Sequence, residues 1–177
     1  MNKRRLFWLI LIGGVLASSG GKVLHASPLT DPVEKAQLPN SNWTFERKEK
    51  TEGPAAIMYV KKTGQAVNLR VHTYDVPIAS KAFLDQVRTK IMEKPDYAGA
   101  EVRIISSKEA GGKMWDVFYI KRKDDIAQEI WARKTDPNVV MMIIYTGAGG
   151  LYNDYYNDFS DWLAKSSDWS ASGGVGH

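Results

Sequence analysis

Val139 to Tyr145 (VVMMIIY) is apolar at every position. A β-strand sends successive side chains to opposite faces of its sheet. A strand that is apolar on both faces needs cover on both, and belongs at the centre of a sheet buried above and below. This run restricts the chain to layered folds, and the rest of the sequence must supply the layers.

Two segments have the helical period. From Ser80 to Lys94 (SKAFLDQVRTKIMEK), Phe83, Val87 and Ile91 recur every four residues, with Leu84 and Met92 beside them. That is one apolar stripe on a helix. Ser80 is the expected N-cap, and Pro95 ends the helix. Near the C-terminus, Tyr152, Tyr155, Tyr156, Phe159, Trp162 and Leu163 recur at spacings of three and four on one expected helix. Asn157, Asp158, Asp161 and Lys165 take its opposite, solvated face. A stripe of this kind is a packing face.

Strand signals fill the remainder. WTFERKEK begins at Trp43, AAIMYVKK at Ala55, AVNLRVHTY at Ala66, EVRIISS at Glu101, KMWDVFYIKR at Lys113 and IAQEIWARK at Ile126. Thr63-Gly64-Gln65, Gly111-Gly112, Lys123-Asp124-Asp125 and Asp136-Pro137-Asn138 are the turns. Tight hairpins make the sheet mainly antiparallel. With one helix for each face, the expected fold is α+β, a three-layer α/β/α sandwich.

The N-terminus opens with Lys3, Arg4 and Arg5, then an apolar run from Leu6 to Ala17, then small residues and Leu24-His25-Ala26. The run is shorter than the roughly 20 residues that span a bilayer. Residues 1–26 are expected to be a secretory signal peptide, or an N-terminal anchor if uncleaved. Either way the rest is exported, to a periplasm, a lumen or the outside. Residues 27–41 read as a linker or loosely docked arm, 42–169 as a single globular domain and 170–177 as a disordered tail.

The leader changes the meaning of the charge. The full chain is +4, but residues 1–26 hold four basic and no acidic side chains, which leaves 20 of each sign. A balanced mature chain has no sustained basic surface, so nucleic acid is not an expected partner. The membrane is one only through the N-terminal segment. The chain has no cysteine. Disulfides and thiolate metal sites are excluded, and the domain must stand on its core.

Candidate chemistry is sparse. Gly147-Ala148-Gly149-Gly150 lies between a strand and a helix, where a phosphate loop would lie. Tyr152 stands where a dinucleotide fingerprint wants glycine, and Asn153-Asp154 stand where a P-loop wants Lys and Ser or Thr. The glycines are expected to turn the chain, with Asp154 capping the helix. Asp154, Asp158 and Asp161 lack the alternation of a calcium loop. No Gly-x-Ser-x-Gly elbow exists. No catalytic residue, metal ligand or cofactor is expected.

Two mixed faces are the weak ligand-binding candidates. Asn68, Arg70 and His72 share one side of a strand, suited to an anion or polar ligand. Trp131 and Arg133, with Glu129, share another. The plainer expectation for each is the solvated side of an outer strand. Six Trp and eight Tyr are enough for a carbohydrate-binding surface, though no coplanar set is legible.

The order of elements resembles that of the PsbP-like and DcrB-like proteins. The resemblance rests on NWTFER as the short aromatic opening strand, SKAFLDQVRTKIM as the helix after the early strands, and VVMMIIYTGAGGLYNDYYNDFSDWLAKS as the closing strand, turn and helix. It spans about Asn42 to Ser167 and lies in packing motifs. It implies an α/β/α sandwich and a non-enzymatic accessory or binding module that docks to another envelope protein. The alternative is a small-ligand or glycan-binding envelope protein. No functional residue carries over, and the lipobox Cys of the exported lipoproteins is missing.

Overall fold

The computed structural model describes residues 38–49, 56–61 and 65–165. The expected leader, most of the linker and the tail lie outside the described residues. The strands are β1 (Trp43–Glu49), β2 (Ala56–Lys61), β3 (Val67–Asp75), β4 (Glu101–Ala110), β5 (Lys113–Lys121), β6 (Ile126–Asp136) and β7 (Val139–Ala148). Helix α1 (Ser80–Met92) and a 3-10 turn (Pro95–Tyr97) join β3 to β4, and α2 (Leu151–Asp154) and α3 (Tyr156–Lys165) follow β7. The fold is α+β, with a sheet of seven strands in the order β1-β2-β3-β7-β6-β5-β4. Every neighbouring pair is antiparallel.

The apolar run lies in β7, at the middle of the sheet, where Val139 through Gly147 are all buried. Its side chains divide by parity between two core clusters. Met141, Ile143 and Tyr145 join Val67, Leu69, Val71, Trp115, Val117 and Trp131, and α3 adds Phe159, Trp162 and Leu163. Val140, Met142 and Ile144 join Tyr74, Phe118, Ile120, Ile130 and Ala132, and α1 adds Phe83, Leu84, Val87 and Ile91. Both apolar stripes read from the sequence are therefore packing stripes, except at Met92, which is exposed at the end of α1.

Four local expectations change. Ser80 is not the N-cap. Ala79 holds that position, and the Ser80 hydroxyl instead donates to Asp116 Oδ2 on β5 at 2.5 Å. The terminal helix is broken. Tyr155 leaves helical geometry at φ −112° and ψ 7° and separates α2 from α3, with its ring edge-on to Trp43 at 6.4 Å. Asp154 ends α2 instead of capping a longer helix. Asp158 is more than a solvated residue, because Trp43 Nε1 donates to its Oδ2 at 2.9 Å. At the close of the expected linker, Leu38 packs against the α3-side cluster, as a docked arm would.

Truncating the fully buried Phe159 to Ala should cost about 3–5 kcal/mol, measured by urea unfolding. Asp158→Ala should cost less, about 1–3 kcal/mol, because it strands the indole N–H of the buried Trp43. An Asp158 variant as stable as the parent would show that this bond contributes nothing.

Candidate functional site

The β4–β5 hairpin and the turn after β7 both need unusual backbone. Gly111 and Gly112, with φ of 56° and 70°, reverse the chain between β4 and β5, in the region that favours glycine. At the other end, a Cβ on Gly147 would lie 2.5 Å from Tyr152 Cα. Glycine there lets the start of α2 sit directly on β7. Gly149 then turns at φ 58°, its N–H donating to the Asp125 carbonyl at 2.9 Å. The glycines thus serve chain reversal and close approach.

A cleft of about 380 Å³ opens between this turn and the β4–β6 end of the sheet. β4 contributes Arg103 and Lys108, β5 Tyr119 and Lys121, β6 Glu129, and α2 Tyr152. A bulge in β4 sets the pattern. Lys108 faces Trp115 and Ser106 faces Val117, but an extra residue then brings Arg103 opposite Tyr119. The Arg103 guanidinium lies 4.7 Å from the centre of the Tyr119 ring. Tyr119 and Tyr152 meet edge to face at 5.9 Å.

Glu129 forms the floor. Its side chain is only 6% exposed and receives Lys108 Nζ at 2.5 Å on one oxygen. Tyr156 Oη donates to the other at 2.8 Å. Lys108 is also 5.2 Å from the centre of the Trp131 ring. Burial, and then the negative charge of Glu129, push the Tyr152 and Tyr156 hydroxyls far above their ordinary values. Both stay protonated donors across any working pH. Tyr145, raised by burial and by the Asp158 charge, donates to the Tyr152 carbonyl at 2.8 Å and ties α2 to β7.

The structure separates the two sets of sequence candidates. Trp131 and Arg133 lie on the cleft side of the sheet with Glu129. Trp131 packs on Trp115 and Phe159, and the Arg133 guanidinium covers the Trp115 ring at 4.9 Å. Trp131 is core, so the solvated expectation fails for it on the inner strand β6, while Arg133 is half-buried over the Trp115 ring. Asn68, Arg70 and His72 have the parity of Tyr74 and lie on the α1 side. The expectation of a solvated outer strand fails for them, since Arg70 is 7% and His72 4% exposed. The reason is topological: β3 is an inner strand between β2 and β7.

A polar row crosses that buried face. Asn68 faces Thr146, and Thr146 faces Gln128. Gln128 Nε2 donates to Thr146 Oγ1 at 3.1 Å, and Tyr97 Oη donates to Gln128 Oε1 at 2.8 Å. His72 stacks on Tyr74 at 6.1 Å, with no hydrogen-bond partner at either ring nitrogen among the described residues. Sequence reading missed the cleft residues Arg103, Lys108, Tyr119 and Lys121. The Gly111-Gly112 turn was the available signal, because counting outward from it pairs Lys108 with Trp115.

Among the described residues, no group of three or more His, Cys, Asp or Glu side chains is placed to hold a metal ion. No known family model matches the chain, and no curated protein matches it.

Burial, and then the nearby Arg70, lower His72 from 6.5 to about 3. The unfolded chain takes up a proton near pH 6.5 that the fold refuses until about pH 3. His72 therefore leaves stability intact above pH 6.5 and removes it progressively as pH falls towards 3. Between pH 7 and 5 the loss should be about 2 kcal/mol. Urea unfolding of the parent and of His72→Phe at both pH values tests this, and the variant should lose that much less.

Proposed function

We propose that this protein is an exported, non-enzymatic accessory or binding domain that works through the cleft beside β4. The observation that carries the reading is the convergence of charged and aromatic side chains from β4, β5, β6 and α2 on about 380 Å³ of open space. Small-molecule sites occupy about 300–1,000 Å³. Glu129 is engaged on both oxygens by Lys108 and Tyr156, which suits a fixed binding wall better than a free base. Export rests on the leader pattern of residues 1–26. The two core clusters support reading the layers as a three-layer α/β/α sandwich, and with it the likeness to PsbP-like accessory proteins.

Docking of another envelope protein along β4 is the second reading. β4 is an edge strand, and Ile104 at the cleft rim is 83% exposed. Exposed edges are templates for an added strand. The β4 bulge and the charges of Arg103 and Lys108 work against such pairing.

Hydrogen exchange of the full chain in its own envelope extract, compared with buffer, tests the cleft reading. Added protection is expected in β4, β5 and residues 149–153 together, and should vanish in Ser106→Trp, which fills the cleft. Protection confined to β4 and retained in that variant would favour docking along the edge. Protection elsewhere in the chain would overturn both readings.

A further inference from the structure

The charges around the cleft are neutralised pair by pair. Lys108 meets Glu129 at 2.5 Å, Lys121 meets Asp125 at 3.0 Å, and Arg103 meets Glu101 at 3.3 Å. An anion entering beside Lys108 must also face Glu129, and a cation drawn to Glu129 must contend with Lys108. Disturbing that pair is costly, because the Glu129 side chain is almost wholly out of water. The Lys121–Asp125 and Arg103–Glu101 pairs are about half exposed or more and oppose an ion only weakly.

A neutral hydroxyl meets neither obstacle, because it donates and accepts at once. It can accept from an ammonium or guanidinium and donate to the carboxylate of the same pair, and the pair survives. The donors have spare capacity. An ammonium carries three N–H groups and a guanidinium five, and the structure uses one Arg103 N–H on Glu101. An ionised carboxylate has about four lone-pair sites, and Glu129 accepts from Lys108 and Tyr156. The Tyr119 ring, which Arg103 covers on one side, and the Tyr152 ring against it add apolar surface to this polar frame.

From this geometry we infer that the cleft takes a neutral, hydroxyl-rich ligand of the saccharide class. The inference rests on the cleft being the binding surface and adds the chemical class of its occupant. A sugar ring presents hydroxyls at its rim and C–H groups on its faces. The rim would bridge the Lys108–Glu129 and Arg103–Glu101 pairs, and a face would lie on tyrosine. Because no net charge is exchanged, affinity should be nearly indifferent to salt.

The test uses backbone NMR of the full chain with four probes: cellobiose, N,N′-diacetylchitobiose, inorganic phosphate and ethylammonium. The expected result is saturable shifts in β4, β5 and residues 149–153 with at least one saccharide, changing less than about twofold between low and high salt. Asn153→Ala, at an exposed position in the lining, keeps the fold and should weaken the saccharide severalfold. Ser106→Trp should abolish its binding. Phosphate or ethylammonium binding there, with no saccharide response, would overturn the ligand class and leave the cleft reading standing. Saccharide shifts located away from the cleft, or no probe perturbing it, would overturn both.

Discussion

The seam between β3 and β7 holds the molecule together. Nine consecutive residue pairs, from Val67↔Gly147 to Asp75↔Val139, join them without a bulge. The seam unites two pieces of sheet that hairpins alone could not join. β1, β2 and β3 form one meander, and β4 to β7 form another. Helix α1 and the 3-10 turn carry the chain from β3 to the far edge, so that β7 returns to the middle. β7 consequently receives both core clusters, and the cleft sits where the second meander ends.

The seam also explains which features were legible in the sequence. The β7 run and the helical stripes of Phe83, Val87, Ile91 and of Phe159, Trp162, Leu163 are local patterns, and all three mark buried faces. His72 and Arg70 were misread because their exposure depends on β7, far along the chain. Polar residues on an alternating strand look solvated until an inner position is known. The cleft was hidden for a different reason. Its register follows the Gly111-Gly112 turn as far as Ser106↔Val117, and one extra residue then moves Arg103 opposite Tyr119. A single inserted residue leaves no periodic trace.

The two sides of the sheet accommodate buried polar groups differently. On the α1 side, Tyr97, Gln128 and Thr146 form a hydrogen-bonded chain, and His72, farther along β3 against Tyr74, is held neutral by burial and by Arg70. On the cleft side a full charge, Glu129, is held by one ammonium and one phenol. The first arrangement is closed and favours a single packing. The second stays open to solvent through Lys108, whose side chain is 44% exposed. Only the second can exchange partners with an incoming molecule without unfolding its surroundings.

The return of β7 to the middle has a consequence for how the chain comes into being. β3 is made well before β7, and until β7 arrives one long edge of β3 has no neighbour. Open strand edges recruit other chains, and contacts distant in sequence form late because closing the loop costs entropy first. The second meander can form from hairpins alone, but its last strand then offers the same unpaired edge towards β3. Each half-sheet thus carries along one edge the unpaired groups that the other covers. Two molecules whose half-sheets met across chains instead of within one would satisfy every one of the nine β3–β7 pairs. A domain-swapped dimer is the misassembly this topology most readily permits.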